Sequence, residues 1–109
     1  MAELGPDTAA QLDVTVGRDP DGAPVVIVAG ELDSSNAHTL ATRMRSITPA
    51  RPERVVFDLA GLRFMDSAGL AILVRAAAEI DTIELREPSP IVRRLIELTG
   101  LTSVLRIVS

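Results

Sequence analysis

Apolar and polar residues alternate along Leu12-Asp13-Val14-Thr15-Val16, which predicts a strand with one face in a core. Asp19-Pro20-Asp21-Gly22 follows as turn chemistry. The run Val25-Val26-Ile27-Val28 is then apolar without alternation, as expected of a strand buried on both sides. The two strands form an N-terminal hairpin. Ser34-Ser35-Asn36 supplies three N-cap candidates in a row. Beyond them Ala37, Leu40, Met44 and Ile47 recur at helical spacing, until Pro49 and Pro52 end the helix.

Val55-Val56-Phe57-Asp58-Leu59 is a further buried strand, and residues 60–65 read as a short connection. Residues 70–80 are apolar almost all round, interrupted by Arg75 and Glu79 on one face. Thr82-Ile83-Glu84-Leu85-Arg86 alternates again. Ser89-Pro90 is a cap followed by proline at the first helical position. Ile91, Leu95 and Leu98 form the apolar stripe of the last helix, Gly100 takes its C′ position and Leu101 packs back on it. Residues 104–107 read as a closing strand. The predicted order is β-β-α-β-α-β-α-β. This is an α/β fold with a mixed, mostly parallel sheet of four to five strands, an N-terminal β-hairpin, and three or more helices on one or both faces. Residues 1–10, small and polar, are expected to be a flexible tail before one domain over residues 11–109.

Composition narrows the chemistry. The chain has 109 residues, of which 47% are hydrophobic and 24% charged, the profile of one soluble domain. Two Phe, no Trp and no Tyr leave no stacking platform for nucleic acid. The net charge of −4, with basic residues scattered, argues against direct nucleic-acid binding and suits a basic protein partner. The absence of cysteine and a single histidine, His38, exclude thiolate and histidine-rich metal sites. No basic-then-apolar leader and no span of bilayer length occur, so a cytoplasmic protein away from the membrane is expected.

The candidate site is the pentad Asp66-Ser67-Ala68-Gly69-Leu70, where a buried strand hands over to the apolar helix. A Ser67 hydroxyl there could cap the helix, attack an electrophile or accept a phosphoryl group. Capping is the commonest role at such a position, and Asp66 could perform it at a shifted boundary. Gly69 is costly inside a helix and would let another molecule approach the backbone. Hydrolysis is disfavoured. The nucleophile elbow Gly-x-Ser-x-Gly has Met65 at its first glycine position, and the sole base, His38, precedes the serine. Neither phosphate-binding glycine pattern occurs. Asp58 reads as a loop-ordering acceptor, and with Asp66 it lacks a third metal ligand. A phosphate on Ser67 would add about −1.5 to −2 charge, tolerated at a helix N-terminus but adverse to a partner docked beside Asp66.

Four segments in order carry a resemblance over residues 12–107: Gly30-Glu31-Leu32-Asp33; Val56-Phe57-Asp58-Leu59 with Phe64-Met65-Asp66-Ser67-Ala68-Gly69-Leu70; Pro88-Ser89-Pro90; and Leu98-Thr99-Gly100-Leu101. The chain resembles the STAS domains of bacterial anti-sigma factor antagonists. The resemblance implies the STAS fold and a regulatory protein that is not an enzyme and holds no cofactor. Its unphosphorylated form binds an anti-sigma factor serine kinase and frees a sigma factor in partner switching, often in a stress response. Phosphorylation of Ser67 ends binding, and a metal-dependent phosphatase of the PP2C type resets it. ATP and Mg²⁺ belong to the kinase. Gly30, Glu31, Asp33 and Ser34 match the loop flanking the docking surface, and Met65, Asp66, Ala68, Gly69 and Leu70 frame the acceptor. The alternative is an accessory or scaffold subunit of a transport or stress-sensing complex, with Ser67 as a contact or cap. One departure stands out. Ile80-Asp81-Thr82 joins the pentad helix directly to the next strand, where relatives carry about one more helical turn, and this predicts a short helix.

Overall fold

The computed structural model describes residues 11–108; the expected tail, residues 1–10, lies outside them. The chain runs through β1 (Leu12–Arg18), β2 (Pro24–Leu32), α1 (Ala37–Ile47), a 3₁₀ turn (Thr48–Ala50), β3 (Arg54–Asp58), β4 (Leu62–Met65), α2 (Ser67–Glu79), β5 (Thr82–Arg86), α3 (Pro90–Leu98) and β6 (Leu105–Val108). The strands form one sheet in the order β1-β2-β3-β5-β6. Among the described residues only the β1–β2 hairpin is antiparallel; β2–β3, β3–β5 and β5–β6 are parallel. The mixed sheet and the hairpin are as the sequence predicts. The sixth strand is a correction. Residues 62–65, read as connection, pair in parallel with the far end of β2.

β2 is long enough to serve two partners: residues 25–27 pair with β3, and Gly30, Glu31 and Leu32 pair with β4. β4 therefore continues the line of β3 after a short excursion. Its four residues show no alternation (buried, exposed, exposed, buried), and for that reason its strand character was hidden.

The three helices among the described residues feed one buried cluster. Leu40, Met44 and Ile47 of α1, Ile72, Leu73 and Ala76 of α2, and Val92 and Ile96 of α3 meet Val26, Val28, Val55, Phe57, Ile83, Leu85 and Leu105 of the strands. The α1 stripe is as predicted. Of the predicted α3 stripe only Leu95 packs against the core. Val92 and Ile96 face the sheet, whereas Ile91 is 65% and Leu98 68% exposed. Helical spacing marks both sets equally, and the direction in which α3 leaves the Ser89 cap selects between them. The cap itself is as expected, Ser89 Oγ accepting from the Val92 N–H at 3.3 Å.

The opposite face of the sheet carries an ion-pair network. Arg54 meets Asp19 at 2.6 Å, Asp21 at 2.7 Å and Glu84 at 3.2 Å, and Arg86 reaches Asp19 at 3.4 Å. The network ties the hairpin turn to β3 and β5. Asp19 first, then Glu84 and Asp21, hold the Arg54 proton more tightly than usual. Removing the guanidinium leaves the partly buried Glu84 without this partner and Asp19 with Arg86 alone. Arg54→Ala is therefore expected to lose about 1–3 kcal/mol in urea unfolding. The Ala23 N–H and then Arg54 lower the pKa of the Asp21 carboxyl below its ordinary 3.8. A carboxyl lowered in the folded state stabilises the fold above its unfolded pKa, and that contribution fades as protons bind below it. The melting temperature of the wild type should consequently fall as pH is taken below about 4, and fall less in Arg54→Ala.

Candidate functional site

The site is built where β2 and β4 end side by side. Gly30 has φ +102°, and a Cβ there would sit 2.1 Å from the Gln11 carbonyl oxygen. At this residue the β2 backbone changes partners: the Gly30 N–H donates to the Gly61 carbonyl and the Glu31 N–H to that of Gln11, both at 2.9 Å. Register shifts at the same point. Gly30 lies opposite Leu62, but Glu31 lies opposite Phe64 and Leu32 opposite Met65. Arg63 is thus the extra residue of a β-bulge, which resets the alternation and re-aims the side chains after it. Leu62 and Met65 are buried, Phe64 is 45% exposed, and Arg63 lies in solvent within 3.6 Å of Glu31.

The Asp66 N–H donates to the Leu32 carbonyl at 3.1 Å, which fastens the pentad to the end of β2. Asp66, not Ser67, is the N-cap of α2. Its Oδ1 accepts from the N–H of Ala68 at 2.9 Å and of Gly69 at 3.4 Å, and its carbonyl accepts from Leu70 at 3.1 Å. Ser67 is the first helical residue, exposed, and among the described residues its hydroxyl makes no hydrogen bond. Among the described residues the N–H groups of Ala68, Gly69 and Leu70 are taken and that of Ser67 is not. Asp66→Ala should cost about 1 kcal/mol in urea unfolding, with Asp66→Asn retaining most of it.

The predicted residues divide between surface and support. Ser34 and Ser67 are exposed, and Glu31, Ala68 and Leu70 are half-buried. Met65, at 3% exposure, lies beneath the surface. The openness expected at Gly69 is also corrected. It is buried, and a Cβ there would fall 2.6 Å from the Leu32 side chain and 2.8 Å from that of Met65. The glycine lets α2 sit close on β2 and β4, not a partner close on α2. The Asp33 carboxylate is occupied in turning the chain: Oδ1 accepts from the Ser35 hydroxyl at 2.5 Å and the Ser35 N–H at 2.9 Å, which together lower its pKa. Asn36 precedes α1 as its N-cap, but its Oδ1 accepts from the Asp33 N–H and its amide donates to the Glu31 carbonyl. This locks the loop after β2 against the site.

Phe64 and Arg63 are the site residues sequence reasoning missed, since only the bulge sends both outward. Asp58 orders its loop as expected, accepting from the Ala60 N–H at 3.1 Å. His38 is exposed on α1. Among the described residues no cluster of three acidic or histidine side chains could hold a metal, and no helix is long and apolar enough to cross a membrane. The pentad helix, expected to be shorter than in relatives, spans 13 residues and ends directly before the Ile80–Asp81 link to β5.

The profile of the family described as Mlab, STAS domain matches residues 16–108. The anti-sigma-F factor antagonist RsfB of Mycobacterium tuberculosis is 30% identical over 101 residues, covering 90% of this chain and 82% of its own. The crystal structure of an anti-sigma factor antagonist from Mycobacterium paratuberculosis superposes with a TM-score of 0.81 at 30% identity, covering 89% of this chain and 85% of that one. The unphosphorylated form of the anti-sigma factor antagonist SpoIIAA shares the fold, with a TM-score of 0.70 at 24% identity, over 93% of this chain and 89% of its own. The chain belongs to the STAS-domain family of anti-sigma factor antagonists.

Proposed function

We propose that this protein binds an anti-sigma factor serine kinase in its unphosphorylated form, that this binding releases a sigma factor, and that phosphate on Ser67 ends it. The observation that carries this reading is the free Ser67 hydroxyl. Asp66 has taken over the cap, so Ser67 Oγ is available without cost to the helix. The docking surface would comprise Ser67 with Glu31, Ser34, Phe64, Ala68 and Leu70. Met65 and Gly69 support it from below, while Gly30 and the Asp33 turn hold its edge.

Phosphorylation transfers the γ-phosphoryl group of ATP to Ser67 Oγ, the hydroxyl proton leaving to a base of the kinase. Nothing in the step requires a cofactor on this chain. The product carries about −1.5 to −2 charge. Asp66 already accepts from the Ala68 and Gly69 N–H groups, so the phosphate finds little of the helix N-terminus free to compensate it. It stands beside a carboxylate on a surface that includes Phe64 and Leu70. Docking an apolar patch there would bury that charge, a desolvation cost that releases the partner and leaves the fold alone. A PP2C-type phosphatase would hydrolyse the ester and restore binding.

The test is incubation with a cognate anti-sigma kinase and Mg-ATP, followed by mass spectrometry. One phosphate at Ser67, and none on Ser67→Ala, is the expected result. Phosphate at another residue, or on none, would refute the switch and leave a constitutive binding subunit.

A further inference from the structure

The helical layer carries a second feature, separate from the Ser67 surface. α1 and α2 lie side by side, and between them runs an open groove of about 570 Å³. Ala41, Met44, Arg45 and Thr48 line one wall, and Ile72, Arg75, Ala76 and Glu79 line the other. Each set is spaced i, i+3, i+4, i+7. Two such ridges form the surface on which a third helix packs. The floor is apolar, with Met44, Ile72 and Ala76 almost fully buried, and Ala41 and Ala76 are small enough for close approach.

The rim is charged with one dominant sign. Arg45, Arg51 and Arg75 border the groove against the single carboxylate of Glu79. None of these three arginines takes part in an ion pair among the described residues; Arg45 donates only to the Thr42 hydroxyl, at 3.2 Å. This is a local excess of positive charge on a chain of net charge −4. Glu79 is the one carboxylate lining the groove itself, while Glu53 and Asp81 line the adjoining hollow that shares Arg51, so the unbalanced positive charge centres on Arg45 and Arg75. An occupant that satisfies floor and rim together needs an apolar face flanked by acidic side chains.

We infer that the α1–α2 groove is a docking site for an acidic amphipathic α-helix of a partner protein. The mode is helix-in-groove recognition, in which apolar anchors at helical spacing supply affinity and the flanking charges supply orientation and selectivity. The groove occupies the later turns of α2, about 12 Å along the helix from Ser67, and the inference does not depend on Ser67 being phosphorylated.

The probe is a fluorescein-labelled synthetic helix of about 18 residues, with leucine and alanine on one face and glutamate on its flanks. A matched peptide carries lysine at every glutamate position. Fluorescence anisotropy should show binding of the glutamate peptide, at least ~10-fold weaker binding of the lysine peptide, and weakening of the former as salt is raised from about 0.05 to 0.3 M. The double variant Arg45→Glu/Arg75→Glu, at solvent-exposed positions and checked for folding by circular dichroism, should reverse the preference. Amide shifts in the wild type should concentrate at residues 41–51 and 72–79. Ser67→Asp should bind the glutamate peptide as the wild type does, which separates this groove from the proposed switch. Equal binding of both peptides, binding of neither, shifts confined to other surfaces, or sensitivity to Ser67→Asp would each overturn the inference. So would tight binding of dodecyl phosphate in the groove with no binding of the glutamate peptide, which would mark a site for small amphiphiles.

Discussion

Ser67→Asp is expected to weaken binding to the cognate anti-sigma kinase by at least ~100-fold, about 3 kcal/mol, with little change in melting temperature. Both halves follow from the local geometry. A new carboxylate at the first helical position stands next to Asp66, on a surface that also presents Phe64 and Leu70. Like charges brought together at a desolvated contact cost several kcal/mol. Stability is spared because position 67 is exposed and the wild-type hydroxyl makes no hydrogen bond among the described residues. Ser67→Ala should bind within ~3-fold of the wild type, because a hydroxyl on an exposed contact contributes about 1 kcal/mol or less. It should also be insensitive to kinase and ATP. Isothermal titration calorimetry of the three proteins against the same kinase decides it. Equal affinities throughout would mean that the pentad is not where charge controls docking.

Gly30→Ala should lose of the order of 3 kcal/mol or more, a large share of the stability of a domain this size. Two penalties combine. At φ +102° an L-residue is strained, and the added Cβ would meet the Gln11 carbonyl oxygen at 2.1 Å. Relief requires moving β1 off the Glu31 N–H or straightening β2, and either motion disturbs the bulge that exposes Phe64 beside Ser67. Gly22→Ala is the control. Its φ is +90°, but nothing lies within 4 Å of the added Cβ, so only the conformational cost of about 1 kcal/mol applies. Urea unfolding of both variants separates strain from collision. Similar losses in the two would show that the approach of Gln11 is not what demands glycine at position 30.

Local chemistry determined most of the elements of this protein. The Leu40-Met44-Ile47 stripe and the Ser89-Pro90 start of α3 each act within a few residues and form what their patterns dictate; Val25-Val26-Ile27-Val28 forms its strand too, but with Ile27 41% exposed and not buried on both sides as its unbroken run implied. The ordered motifs around Asp66 and Ser67 likewise carried the family. Tertiary structure alone decided what depended on partners distant in sequence. β4 exists because the end of β2 offers it free backbone groups, and Arg63 bulges because Gly30 alters the register. Which apolar edge of α3 is buried follows from where the sheet lies beneath it. The roles of Asp66 and Ser67 were divided by one residue of helix boundary, set by the bond from the Asp66 N–H to Leu32. Periodicity reports which faces of an element are apolar. It carries no information on which neighbour reaches them, because that is settled by chain segments brought together only when the sheet closes.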